Sequence, residues 1–217
     1  MRDERDIENR VERVPASPGS LVALREFFVR SSSEGTFETT WREYAAQQIA
    51  QSGCQMLRLH HDSQKADRFI SFEHWKSAAN LTATIRRLGE DIEFSGDSHQ
   101  LFLRPKVQIM GAADRLAGQF ATVRRYYLKV GSEGEFESLW RESARQEARQ
   151  ADCIYKHLYR DLNLPTLYIS YSLWVSASAP DEAASKHAHY QQQHKLYPLV
   201  RAVTPEKLEL LVTQANR

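Results

Sequence analysis

A chain of 217 residues is long enough for one large domain or for two domains of about 100 residues. Hydrophobic residues make up 41% of the chain and charged residues 26%, an ordinary balance for a globular protein with buried cores. The net charge is +1, from 29 basic and 28 acidic residues. A nearly neutral chain gives no electrostatic reason to expect a nucleic-acid partner, although it is compatible with a small anionic ligand.

The N-terminal segment, residues 1–18, is predicted to be a mobile tail. Its sequence "MRDERDIENRVERV" has no apolar run of the kind found in a secretory signal. No later apolar run approaches the roughly 20 residues that cross a bilayer, so no membrane partner is expected. The two cysteines, Cys54 and Cys153, are predicted to be unpaired thiols in a reducing cytoplasm.

A repeat with an offset of 99 residues organises the rest of the chain. "EGTFETTWRE" begins at Glu34 and "EGEFESLWRE" begins at Glu133. The offset continues without a gap, and 17 of the 44 positions from 34 to 77 are identical to their counterparts. A period of this length is too long for a solenoid unit and is about one small domain. We therefore predict a tandem duplication with domains at 19–115 and 118–217.

Each copy is predicted to have the element order β-α-β-β-α-β. The strands are "LVALREFFVR", "CQMLRLHH", "RFISFEHW" and "LFLRPKVQIM" in the first copy and "FATVRRYYLKV", "CIYKHLYR", "TLYISYSLW" and "KLELLVTQ" in the second. Between the first two strands, apolar residues recur every four positions, as on one face of a helix. That stripe is Phe37, Trp41, Ala45 and Ile49 in the first copy and Phe136, Trp140 and Ala144 in the second.

Both faces of each predicted sheet require burial. In "RFISFEHW", Ile70 and Phe72 point to one face, while Phe69 and Trp75 point to the other. The predicted fold class is therefore α+β, with two ferredoxin-like repeats whose antiparallel sheets pair as an α/β barrel. The repeats would form a pseudo-dimer within one chain. The sequence leaves open whether they pair instead with the repeats of a second chain, and whether chains assemble into a homo-oligomer.

These features resemble the antibiotic biosynthesis monooxygenase family, a branch of the dimeric α/β-barrel superfamily. The resemblance is carried by "FEHWKSAANL", where a strand ends in Trp-x-Ser and enters a helix, by "YSLWVSASAP", and by the helix opening "EGEFESLWRE". Members of the family include cofactor-independent oxygenases of polycyclic phenols and quinols, and haem-degrading enzymes. Those enzymes tend to have an Asn on the first strand, which neither copy has, and this argues against haem degradation.

Three side chains on or beside the strands are candidate substrate contacts. Trp75 and Trp174, at equivalent strand ends, either stack on an aromatic ligand or are core residues that seal each strand to its helix. Arg124, equivalent to Arg25 on the first strand, either anchors an anionic substrate oxygen or is a salt-bridged strand residue. The resemblance implies a role for the strand-end tryptophans, and on the hypothesis of an enzyme Trp174, Trp75 and Arg124 are the predicted substrate-binding residues.

The second helix differs most between the copies. The first copy has a plain apolar stripe, Leu81, Ile85 and Leu88, and the second has Ala183, His187, Tyr190, His194 and Tyr197 on one face. An imidazole there could take a proton from an acidic phenol, since its unperturbed pKa is about 6.5. The alternative is a half-exposed helix whose rings keep their polar tips in water. Pro198 is expected to end or kink this helix.

These residues lead to two hypotheses about function. The first is a cofactor-independent monooxygenase that acts on an aromatic, quinol or polyketide-like small molecule with O2, using His187 or His194 as base and Tyr190 as a substrate contact. The alternative is a non-catalytic barrel protein that binds a hydrophobic ligand or serves assembly. No ligand spacing requires a metal ion, and no nucleotide fingerprint occurs, so no cofactor is predicted.

Overall fold

The computed structural model describes residues 12–13, 19–51, 53–82, 98–113, 119–150, 152–185 and 195–215. In chain order the strands are β1 (Glu12–Arg13), β2 (Leu21–Phe28), β3 (Cys54–Asp62), β4 (Arg68–Trp75), β5 (Ser98–Met110), β6 (Phe120–Leu128), β7 (Cys153–Asp161), β8 (Leu167–Trp174) and β9 (Val200–Ala215). The helices are α1 (Glu34–Ile49), α2 (described over 78–82), α3 (Glu133–Ala148) and α4 (Ala179–Ser185), and a 3-10 turn spans Tyr197–Leu199. The predicted order of elements is therefore present in both copies.

The chain divides into two compact units. The first comprises Ala16–Arg104 and Leu208–Arg217, and the second comprises Met1–Pro15 and Pro105–Lys207. Each unit contains most of one repeat together with one end of the chain.

The first unit is an antiparallel sheet with α1 packed on one face. Its strand order is β5-β2-β4-β3-β9. The buried rings of Phe37 on α1 and Phe69 on β4 lie 4.8 Å apart, centroid to centroid. Leu24 and Ile70, on the opposite face of the strands, are buried as well. Both faces of this sheet are thus buried, as the alternation in "RFISFEHW" predicts.

The second unit repeats this arrangement. Its strands follow the order β9-β6-β8-β7, with β5 beside β7 and β1 beside β5. Phe136 on α3 packs between the rings of Tyr126 and Tyr168, at centroid distances of 5.1 and 5.3 Å. Val123 and Ile169, on the other face, are also buried. The duplicated Phe of the repeat is therefore a core residue in both copies.

Two long strands each belong partly to both units. Strand β5 pairs with β2 as far as Leu103 and continues into the second unit at Pro105. Strand β9 continues into the first unit at Leu208, three residues after Pro205. Proline has no N–H for a ladder hydrogen bond, so it is tolerated where a strand changes its partner. The observed β9 starts seven residues earlier than the predicted closing strand.

Some predicted segments are described only in part. Within the predicted tail, the structure describes β1, and the remaining residues of 1–18 lie outside the described residues. On α2, Leu81 is buried, whereas Ile85 and Leu88 lie outside the described residues. Residues 195–196 are helical and give way to the 3-10 turn that contains Pro198, as the prediction of a helix end requires. None of the described helices combines the length and apolar character needed to span a bilayer.

Gly111 should not tolerate even a methyl group. A Cβ at this position would lie 2.0 Å from the backbone oxygen of Cys153, and the Gly111 N–H donates to the oxygen of Ile154 at 2.8 Å. We expect Gly111→Ala to destabilise the protein by about 1–3 kcal/mol, measured by urea unfolding, because a backbone atom must move. The control Gly35→Ala, whose Cβ meets nothing within 4 Å, should be neutral or slightly stabilising. Equal losses in both variants would contradict this account.

His60 should make stability fall as the pH falls. It lies fully buried on β3, and burial, together with the charge of Arg58, lowers its pKa to about 3. Between pH 3 and about 6.5 the unfolded state binds one more proton at this residue than the folded state, so acid favours unfolding.

His60→Gln should reduce the slope of unfolding free energy against pH, measured by urea unfolding between pH 6 and pH 4.5, by up to about 1.4 kcal/mol per pH unit. The control is His99→Gln, at an exposed position on β5. A slope that is the same in His60→Gln and wild type would show that His60 is already protonated in the fold.

Candidate active site

A pocket lies in the second unit between α3 and the sheet. It is lined by Thr122, Arg124 and Tyr126 from β6, Trp140, Ser143, Ala144 and Glu147 from α3, Lys156 from β7, Ser170 and Ser172 from β8, and Leu196. Its volume of ≈ 10 Å³ is room for about one water molecule. Eight of these eleven residues are polar, so the pocket suits a single polar group, such as one oxygen atom of a ligand.

Regular periodicity brings these residues together. Thr122, Arg124 and Tyr126 alternate along β6, and alternate residues of a strand share one face. On α3, Trp140 and Glu147 are seven residues apart and share one face of the helix. The pocket is therefore the place where the inner face of α3 meets the face of the sheet that carries Arg124.

A buried ion pair forms the polar centre of the pocket. The ammonium of Lys156 lies 2.5 Å from Oε2 of Glu147 and donates to Oγ of Ser172 at 2.9 Å. Oγ of Ser143 donates to the other carboxylate oxygen of Glu147 at 3.3 Å. The side chains of Lys156 and Glu147 are only 5% and 8% exposed, so each charge depends on the other for compensation.

Arg124 lies on the wall of the pocket and is half-buried. Burial disfavours its charge, but the hydrogen bond and the electrostatic interaction with Tyr126, together with Glu147, outweigh burial and raise the pKa of Arg124. Burial raises the pKa of Tyr126, although Arg124 opposes that shift. At neutral pH the pocket wall therefore presents a guanidinium beside a protonated phenol.

Trp174 lies behind the lining of the pocket. It is 2% exposed, its Nε1–H donates to Oγ1 of Thr122 at 3.2 Å, and the ammonium of Lys156 lies 5.2 Å from its ring centroid. Nearby, burial raises the pKa of the Cys153 thiol to about 12, so this cysteine is protonated at neutral pH. Neither cysteine forms a disulfide.

The residues predicted from the sequence have different places in the structure. Arg124 lines the pocket, and Trp174 contacts two lining residues. Trp75 is fully buried in the core of the first unit. The predicted bases His187 and His194, and the predicted contact Tyr190, lie outside the described residues. Leu196, two residues after His194, is part of the lining.

Sequence reasoning missed Lys156 and Glu147. A signal was available, because these charged residues stand where the first copy has Leu57 and Gln48. A lysine facing a helix from a buried strand needs a carboxylate partner, and a glutamate on the inner face of that helix can supply it. Within the described residues no group of three His, Cys, Asp or Glu side chains could hold a metal ion.

A family model described as antibiotic biosynthesis monooxygenase matches residues 20–84 and 119–196, one segment in each repeat. No curated protein matches the sequence.

Solved structures of similar fold cover nearly the whole chain. A proposed monooxygenase from Fusobacterium nucleatum has a TM-score of 0.77 at 10% identity, covering 91% of this chain and 94% of that chain. A proposed monooxygenase from Lactobacillus acidophilus has a TM-score of 0.72 at 9% identity, with 91% and 97% covered. An anthrone oxidase-like protein has a TM-score of 0.72 at 11% identity, with 94% and 96% covered.

At these identities the likeness shows the fold alone. Together with the family match, it confirms the predicted fold class, two ferredoxin-like repeats of the α/β-barrel type.

The buried pair should behave as a unit. Lys156→Leu leaves the Glu147 carboxylate buried without its partner, and we expect it to cost about 3–5 kcal/mol of unfolding free energy in urea. The double variant Lys156→Leu/Glu147→Gln, which has the residues that the first copy uses, should regain most of that loss. Losses that simply add in the double variant would show that the two side chains do not compensate each other.

Proposed function

The chain belongs to the antibiotic biosynthesis monooxygenase family, and on that premise we propose that it is a cofactor-independent monooxygenase acting on an aromatic, quinol or polyketide-like small molecule. The observation that carries the proposal is the polar pocket of the second repeat, with Arg124 on its wall. The substrates proposed are this small molecule and O2. The proposed location is a reducing cytoplasm, where both thiols stay unpaired.

The reaction proposed needs no external reductant. A base removes a proton from a phenol, or from a CH2 group beside a phenolic ring, and the resulting anion passes one electron to O2. Combination of the two radicals and loss of water give a carbonyl, so that CH2 + O2 becomes C=O + H2O. The substrate supplies all the electrons, and the protein supplies the base, the orientation and the exclusion of water.

Particular residues fit these tasks. Arg124 is proposed to hold the developing oxyanion, since its guanidinium lies in the lining. Trp174 backs the pocket against Thr122 and Lys156, and it is proposed as the aromatic contact of the substrate. His187 or His194 is the proposed base, with Tyr190 as a substrate contact. In support, Leu196 brings the end of that segment to the pocket.

Oxygen consumption tests the proposal. Purified protein with anthrone, which has the required CH2 group, should consume O2 faster than buffer, measured with an oxygen electrode. His187→Ala/His194→Ala should lower the rate by about 10²–10⁴-fold, the usual contribution of a general base. The control is His99→Ala, on β5 in the strand segment that belongs to the first unit. An unchanged rate in the double variant would remove both residues as bases, and binding without O2 consumption would favour the non-catalytic alternative.

Matched tryptophan variants test the choice of repeat. Trp174→Phe should lower the rate of O2 consumption more than Trp75→Phe, because Trp174 contacts two residues of the pocket. The opposite ranking would move the active site to the first repeat.

A further inference from the structure

In the first repeat, the protein's own side chains occupy the place that corresponds to the pocket. The Tyr44 hydroxyl donates to Oε2 of Glu73 at 3.1 Å, and Nη2 of Arg25 lies 3.4 Å from the same oxygen. Oγ of Ser71 donates to the other carboxylate oxygen of Glu73 at 3.3 Å. Tyr44 and Glu73 are essentially unexposed. A phenol and a carboxylate therefore lie together beside the arginine of the first strand.

The second repeat keeps the arginine and the serine and loses the other two groups. With the offset of 99, Arg25 corresponds to Arg124, whereas Tyr44 and Glu73 correspond to two serines. Those serines, Ser143 and Ser172, both line the pocket. The pocket thus lies where the first repeat places a phenol and a carboxylate.

The balance of charge changes with these substitutions. In the first repeat, the charge of Arg25 is met by Glu73. In the second, the lining formed by the described residues contains the two cations Arg124 and Lys156 and one carboxylate, Glu147, which leaves one positive charge in excess among them. The Lys156 ammonium lies 2.9 Å from Oγ of Ser172, the residue at the position of the first repeat's carboxylate. A buried site with excess charge favours a ligand of opposite charge.

We propose that the first repeat is a self-occupied copy of the site, and that the second repeat binds an aromatic anion whose charged oxygen enters the pocket that Arg124 and Lys156 line. The inference rests on the proposed function only for the location of the site. The ligand class it names is an aromatic ring bearing one phenolate or carboxylate group. The phenol of Tyr44 and the carboxylate of Glu73 stand in for the functional groups of such a ligand.

The test compares 4-hydroxybenzoate with its neutral isostere 4-hydroxybenzamide by isothermal titration calorimetry on the full chain. The acid carries a phenol and a carboxylate on one ring, and the amide keeps the shape without the charge. We expect one site per chain and at least about tenfold tighter binding of the acid, which corresponds to about 1.4 kcal/mol. Equal affinities, or no binding of the acid at millimolar concentration, would overturn the proposal.

Variants taken from the other repeat locate the effect. Ser172→Glu restores the carboxylate of the first repeat and should abolish binding of the acid, and Arg124→Gln should remove its advantage over the amide. The matched control is Arg25→Gln, or the double variant Arg25→Gln/Glu73→Gln if the single variant unfolds. The control should leave the affinity for the acid within about twofold of the wild-type value, because side chains of the protein occupy that copy of the site. If the control variant loses binding of the acid while Arg124→Gln leaves binding unchanged, the anion site lies in the first repeat.

The outcomes separate this inference from the proposed function. Preference for the acid without any O2 consumption would support the anion site and reject the oxygenase. Consumption of O2 with anthrone, combined with equal binding of acid and amide, would support the oxygenase and reject the anion site.

Discussion

The packing of the first helix on its sheet sets the geometry of each repeat. In the second copy, Phe136 and Trp140 are buried one turn apart, and large aromatic side chains of this kind dominate the energetics of a core. Once that helical face is fixed, the following two turns must place Ser143 and Glu147 over the sheet, beside Arg124. The frame is duplicated, so the first copy places its own residues over the equivalent arginine in the same way.

The two copies fill this common frame differently, and the requirement for charge compensation explains how. The first copy introduces its carboxylate from a strand, as Glu73, which meets Arg25 directly. The second introduces its carboxylate from the helix, as Glu147, together with a new cation, Lys156. A buried charge without a partner is costly, so each change of one residue required another nearby. Small serines, where the first copy has Tyr44 and Glu73, leave room for the pocket in the second copy.

Prediction from the sequence succeeded where local periodicity and global packing agree. The helical stripe with Trp41 and Trp140, and the alternation along β4 and β8, correspond to the observed helices and strands. Lys156 was missed because a lone charge within a strand pattern is usually an exposed residue. The pairing of this lysine with Glu147 links residues nine apart in sequence, from a helix and a strand that periodicity treats separately.

The sequence by itself determined the duplication, the order of elements and the family, because each is recorded in residues that recur at a fixed offset or at a fixed period. Only the tertiary structure decided which of the two equivalent sites holds a pocket. That outcome depends on volumes and charges contributed by four different elements, α3, β6, β7 and β8, and meeting within a few ångströms. The repeated Trp at the strand ends is identical in both copies, yet Trp174 donates to the hydroxyl of Thr122 at a position where the first copy has Ala23.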